Sequence, residues 1–163
     1  MKSWFQSLIS TGWFAHSIRT AVAASVSLAF ARLFKMPQPY WAAVTTMIVT
    51  QSTLGAAWKI ARRRLIGTAI GATAGGLVAT FFGPNALAVG LTIFALGIIC
   101  GSLKLDPAAY RFAGVALIIV TLVSAGISPP ATIAFHRFAE VAIGILVGLL
   151  FSAIWPTQEL KST

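Results

Sequence analysis

Residues 40–76 read YWAAVTTMIVTQSTLGAAWKIARRRLIGTAIGATAGG, joining an apolar segment, a basic cluster and a second apolar segment ridged with glycine. The pattern predicts a membrane span, a cytoplasmic turn and another span. Lys59, Arg62, Arg63 and Arg64 are the densest positive charge in the chain, so they fix orientation. Gly67, Gly71 and Gly75 recur every four residues, so one helix face carries a shallow channel into which a neighbouring backbone can settle.

The rest of the 163-residue chain continues the same alternation. Hydrophobic residues make up 58% and charged residues 9%, with a mean hydropathy of +0.88, which cannot clothe a soluble surface. Apolar runs of about 15–20 residues match what a ~30 Å hydrocarbon layer demands. The expectation is an all-α integral membrane protein with six transmembrane helices, at about 17–34, 40–57, 65–82, 86–103, 109–125 and 135–155. Residues 1–15 set Trp4, Phe5, Leu8, Ile9 and Trp13 on one side and predict an N-terminal amphipathic interfacial helix, or else an extended first turn of span one. Gln6, Ser7, Ser10 and Thr11 interrupt that stretch, so no cleaved signal is expected. Residues 157–163 read as a cytoplasmic tail.

Charge placement tests this topology. With the N-terminus cytoplasmic, that side receives Lys2, Arg19, Lys59, Arg62, Arg63, Arg64, Lys104, Arg111 and Lys161, and the other receives only Arg32, Lys35 and Arg137. The imbalance satisfies the positive-inside rule and leaves both termini cytoplasmic. Arg19 and Arg32 bracket span one and are expected to snorkel to headgroups. The net charge of +9 is thereby explained by topology and a lipid bilayer partner, with no nucleic acid. Cys100 reads as packing; no metal-ligand spacing, cofactor loop or catalytic nucleophile is present, so an enzyme is not expected.

An internal echo links the third and sixth spans. Arg64, Ala69, Ile70, Gly71, Gly75 and Leu77 align with Arg137, Ala142, Ile143, Gly144, Gly148 and Leu150. Three spans per copy would make two inverted three-helix repeats, as in many transporters; chance likeness between short apolar segments is the alternative.

Tyr40, Trp41, Gln51, Gly55, Arg64, Gly67, Thr68 and Gly71 together resemble the signature of the fusaric acid resistance (FUSC) or aromatic acid exporter superfamily. Arg137, Gly144 and Pro156 extend the likeness to span six. The resemblance implies a six-helix module used in efflux of aromatic carboxylic acids, distantly related to plant malate channels. Many relatives carry two modules or a cytoplasmic domain, so a single module implies a homo-oligomer, most simply a dimer, on a small organic anion substrate. Three readings follow: an exporter in the bacterial plasma (inner) membrane, a passive anion channel, or a structural module scaffolding a soluble partner.

The working residues expected on chemical grounds fall into three groups. Glu140, the one acidic residue within a predicted span, is the candidate proton carrier, tuned by His136; an ion pair with Arg137 is the plainer reading. Arg64 and Arg137 could bind a carboxylate bidentately, against roles in topology and ion pairing. Tyr40 and Trp41 could stack on an aromatic substrate or belong to the interfacial belt, while Thr46, Thr50 and Gln51 share a helix face suited to a pocket or to interhelical hydrogen bonds. Gly67, Gly71, Gly75, Gly144 and Gly148 are expected to pack helices.

Overall fold

The computed structural model describes residues 13–51, 53–124 and 129–155, so the amphipathic segment expected at 1–15 and the expected tail lie almost wholly outside the described residues. Among the described residues six helices run in order: α1 (Trp13–Leu33), α2 (Tyr40–Val49), α3 (Leu54–Phe81), α4 (Ala86–Ser102), α5 (Pro107–Val123) and α6 (Pro130–Ile154). Three of them, α1, α3 and α6, are long and apolar enough to cross a membrane. At ~1.5 Å per residue α4 and α5 reach about 25 Å, while α2 reaches about 15 Å, half of a hydrocarbon layer.

The expectation that span two continues to residue 57, with the basic cluster in a turn, is not what the chain does. Helix α2 ends at Val49, and α3 begins at Leu54, so Lys59, Arg62, Arg63 and Arg64 lie within a helix. The physical reason lies in Thr50 to Thr53. The Thr50 hydroxyl turns back to donate to the Thr46 carbonyl at 2.7 Å, and the Thr53 hydroxyl accepts the Ala56 amide at 3.3 Å as the N-cap of α3. Hydroxyl side chains compete for backbone groups and break the helix here, whereas the Ala, Lys and Arg of residues 56–64 propagate one.

Other boundaries follow from equally local chemistry. Asn85 caps α4 by accepting from the Leu87 and Ala88 amides, after Gly83 has turned the chain at φ 62°. Asp106 caps α5 through Ala108, with Pro107 in the first turn where its missing N–H costs nothing. Helices α1 and α4 close alike: Lys35 (φ 52°) and Lys104 (φ 51°) are left-handed, and Met36 and Leu105 donate back to Ala31 and Cys100. This is a Schellman closure with lysine where glycine is preferred. A left-handed L-residue costs about 1–2 kcal/mol, and glycine gives back about 0.4–1 kcal/mol through its freer unfolded chain. Lys35→Gly is therefore expected to stabilise the protein by roughly 0.5–1 kcal/mol, read as a raised thermal midpoint.

The chain divides into two compact units, residues 1–61 with 142–163, and residues 62–141. In the first, α1 packs along α2 and the C-terminal half of α6 joins them through its glycines. In the second, α4 packs along α5, and α3 meets α5 through its own glycine ladder.

Candidate functional site

The first unit is organised around a buried guanidinium. Arg19 is 0% exposed and donates to the Trp155 carbonyl at 2.7 Å and the Gln51 carbonyl at 3.0 Å, while lying 3.1 Å from His16 Nδ1. Trp155 follows the end of α6 and Gln51 follows the end of α2, so one cation caps two helix C-termini, where carbonyls lack intrahelical partners and the dipole is negative. Arg19 thus does not snorkel to a headgroup, as span one's expected start at residue 17 suggested. Arg19 lies within the described helix, and its guanidinium is turned inward onto these two carbonyls.

Helix α2 lays its polar residues around this cap. Thr46 is buried, its hydroxyl 3.0 Å from the carbonyls of both Ala42 and Gly144. Thr50 is tied to Thr46, and Gln51 turns its amide back to the Ile48 carbonyl at 3.2 Å while its backbone N–H reaches Ser152 Oγ at 3.3 Å. The hydroxyl protons of Thr46 and Thr50 are thereby committed to backbone carbonyls. At the far end of α2, Tyr40 is exposed and Trp41 donates to Gln38 at 3.0 Å, their rings 5.5 Å apart. About 15 Å of helix separates Tyr40 from the break, so the aromatic pair and Gln51 do not share one small-molecule pocket.

The second unit contains the remaining candidates. Arg64 is buried, its guanidinium 4.9 Å from the centroid of the Phe112 ring on α5, a cation–π geometry. Arg63, which the basic cluster suggests is only an orientation residue, forms an ion pair with Asp106. On α6, Arg137 and Glu140 are buried at 3% and 2% exposure, and His136 is half-buried beside Phe135. A buried carboxyl one turn from a buried guanidinium is a costly arrangement that a chain keeps only with compensating contacts.

The glycine ladders make the same contact in both units. A Cβ on Gly71 would lie 2.6 Å from the Ala113 carbonyl carbon, and those on Gly67 and Gly75 would strike the Ala109 and Leu117 backbone; in the first unit Gly144 and Gly148 abut Ala42, Thr45, Thr46 and Val49. In each unit a facing threonine donates to a ladder glycine, Thr121 to Gly75 at 3.3 Å and Thr46 to Gly144 at 3.0 Å.

This recurrence lets the two interiors be compared position by position. Aligning Lys35 with Lys104 places Ser27 opposite Leu96, and aligning Gly144 with Gly71 through their contacts places Ala42 opposite Ala113 and Thr46 opposite Leu117. Leu96, Ala113 and Leu117 are the apolar core of the second unit. Their counterparts Ser27, Ala42 and Thr46 are fully buried, and Ser27 Oγ has no hydrogen-bond partner among the described residues. At two of these three positions, Ser27 and Thr46, the first unit buries a hydroxyl where the second unit buries a leucine. Arg19 and Ser27 do not stand out as working residues in the sequence. Their signal is the run Arg19, Ala23, Ser27, Ala31, which repeats the four-residue period of the glycine ladder and forms the buried face of α1.

Comparison with known proteins agrees with this architecture. The chain is 28% identical to an uncharacterized transporter, YdhK, of Salmonella typhimurium, over 96% of this chain and 24% of that protein. It is 33% identical to the inner membrane protein YeeA of Escherichia coli, over 88% of this chain and 41% of that protein. It therefore spans between a quarter and two-fifths of the length of these relatives. No solved structure matches. The model of the fusaric acid resistance protein-like family matches residues 23–151, and with its apolar helices and its membrane relatives the chain is an integral membrane protein belonging to that family.

Proposed function

We propose that the protein moves organic anions, aromatic carboxylates foremost, outward across a bacterial inner membrane, as a homo-oligomer and most simply a dimer. The observation that carries this reading is the interruption after α2. A helix of half the membrane's thickness ends in an unwound stretch whose Gln51 carbonyl is held by the buried Arg19. Membrane helices are broken in this way where irregular backbone lines a solute site. Within the first unit Gln51, with Thr46 and Thr50 behind it, forms a polar wall, and Tyr40 and Trp41 at the opposite end of α2 act as an aromatic vestibule; within the second unit Arg64 and Arg137 are the groups that attract a carboxylate. Glu140, with His136 one helical turn before it, carries the proton that drives export. Descent of the two halves from inverted three-helix repeats is supported by the paired lysine caps and glycine ladders.

The test is flux of an aromatic acid panel into and out of vesicles containing the purified protein, with and without an imposed pH gradient. Wild type is expected to accumulate substrate against its gradient only when the proton gradient is present, and Glu140→Gln to fall to the level of empty vesicles. Undiminished uphill export by Glu140→Gln would overturn proton coupling. Voltage-dependent anion current with no pH gradient would favour a passive channel, and no flux without a co-purifying soluble protein would favour the scaffolding role.

A further inference from the structure

Gly97 and Gly101 repeat the four-residue spacing of the packing ladders, yet among the described residues no helix backbone lies on them. A Cβ at Gly101 would meet nothing within 4 Å, and at Gly97 it would meet only the edge of Tyr110 at 3.5 Å. The space forms a groove of about 410 Å³, lined by Phe94, Gly97 and Gly101 from α4 and by Leu105, Pro107 and Tyr110 beyond it. Phe94 is 69% exposed at its margin. The lining carries no charged side chain, so the occupant's buried part is apolar.

The groove's polar end has the opposite character. Leu105 follows Lys104 and Tyr110 precedes Arg111, and both cations are exposed. Asp106, the carboxylate nearest in sequence, is already held by Arg63 and by its cap to Ala108. Lys104 occupies a left-handed position that glycine fills with less strain, and it places its charge at the helix end. From Phe94 to Ser102 the helix rises about 12 Å, close to the ~15 Å depth of one leaflet's hydrocarbon. An apolar slot about one leaflet deep, with two exposed cations next in sequence to its lining residues Leu105 and Tyr110, matches one acyl chain and an anionic headgroup.

We propose that this groove is a binding site for one anionic phospholipid, its chain lying over Gly97 and Gly101 and its phosphate held by Lys104 and Arg111. The site lies in the second unit and does not depend on what the protein transports.

Native mass spectrometry of the full chain in detergent micelles, titrated with phosphatidylglycerol or phosphatidylcholine of identical chains, tests it. One phosphatidylglycerol is expected to bind about 10–30-fold more tightly than phosphatidylcholine. That preference should vanish in the double variant Lys104→Asn, Arg111→Gln and in the groove-filling Gly101→Leu, and survive Lys59→Gln, Arg62→Gln. Equal binding of the two lipids, or a preference that outlasts both the headgroup and the groove variants, would overturn the proposal. A photoreactive benzophenone side chain replacing Phe94, used in vesicles of equimolar phosphatidylglycerol and phosphatidylcholine, gives a readout that does not depend on those variants folding. A phosphatidylglycerol adduct is expected, whereas a cross-link to a second copy of the chain, or no lipid adduct, would overturn the assignment.

Discussion

Replacing Arg19 with methionine is expected to destabilise the folded protein by roughly 3–6 kcal/mol, since each of two charge-assisted hydrogen bonds to a carbonyl contributes about 1.5–3 kcal/mol and neither carbonyl gains a new donor. The two acceptors, Gln51 and Trp155, stand at the ends of different helices, so the loss loosens α2 and α6 together. Methionine keeps most of the volume, which isolates the polar contribution from a cavity. Arg19→Lys retains the charge but replaces a planar fork with a single ammonium, so it should recover only part of the stability. Thermal or denaturant unfolding in mild detergent gives the measurement. A methionine variant as stable as wild type would show that the buried cation is not what holds the two helix ends.

Arg19 also shows where sequence reading stops. Six helices, their apolar character and the family are legible because run length and glycine period are properties of the chain alone. What charge placement cannot reveal is direction: an arginine a few residues inside a predicted boundary reads as snorkelling until its hydrogen-bond partners are known. The Trp155 and Gln51 carbonyls that it reaches turn a lipid anchor into a cap. The break after Val49 is written in Thr50, Gln51, Ser52 and Thr53, but those residues are equally readable as polar groups awaiting partners in a continuous span. Choosing between the two requires knowing that Thr53 caps α3 and that Arg63 finds Asp106.

The candidate site is legible in part for the same reason. Thr46 and Gln51 stand out in the sequence as polar groups needing partners, and those partners are backbone carbonyls and Ser152, none of which a motif announces. Ser27 carries no signal until its counterpart Leu96 is seen in the second unit's core. A polar residue becomes informative when the equivalent position elsewhere in the chain is apolar and buried, because packing alone would have served there.

Glycine-to-alanine substitutions should separate two populations of small residue that spacing treats as one. Gly71→Ala would set its Cβ against the Ala113 carbonyl, with the Ala113 carbonyl carbon at 2.6 Å and Cα at 2.7 Å; Gly144→Ala would meet the Ala42 carbonyl and Thr45 Cβ at 2.5 Å. These obstacles are backbone or Cβ atoms that no rotamer change can remove, so relief requires moving a whole helix, and each variant is expected to lose about 3 kcal/mol or more, at the upper end of overpacking costs. Gly144→Ala should lose more if shifting α2 also breaks the Thr46 hydrogen bond, which Thr46→Val in both backgrounds would reveal as non-additivity. At Gly90 and Gly114 an added Cβ would meet nothing within 4 Å, so alanine there should gain about 0.5–1 kcal/mol from helix propensity. Unfolding midpoints of the four variants, measured side by side, therefore carry opposite signs if close backbone approach holds each unit together. Uniformly small shifts would mean that the ladders are spaced for contact without depending on it, and that the buried polar groups of α1 and α2 carry the first unit's cohesion.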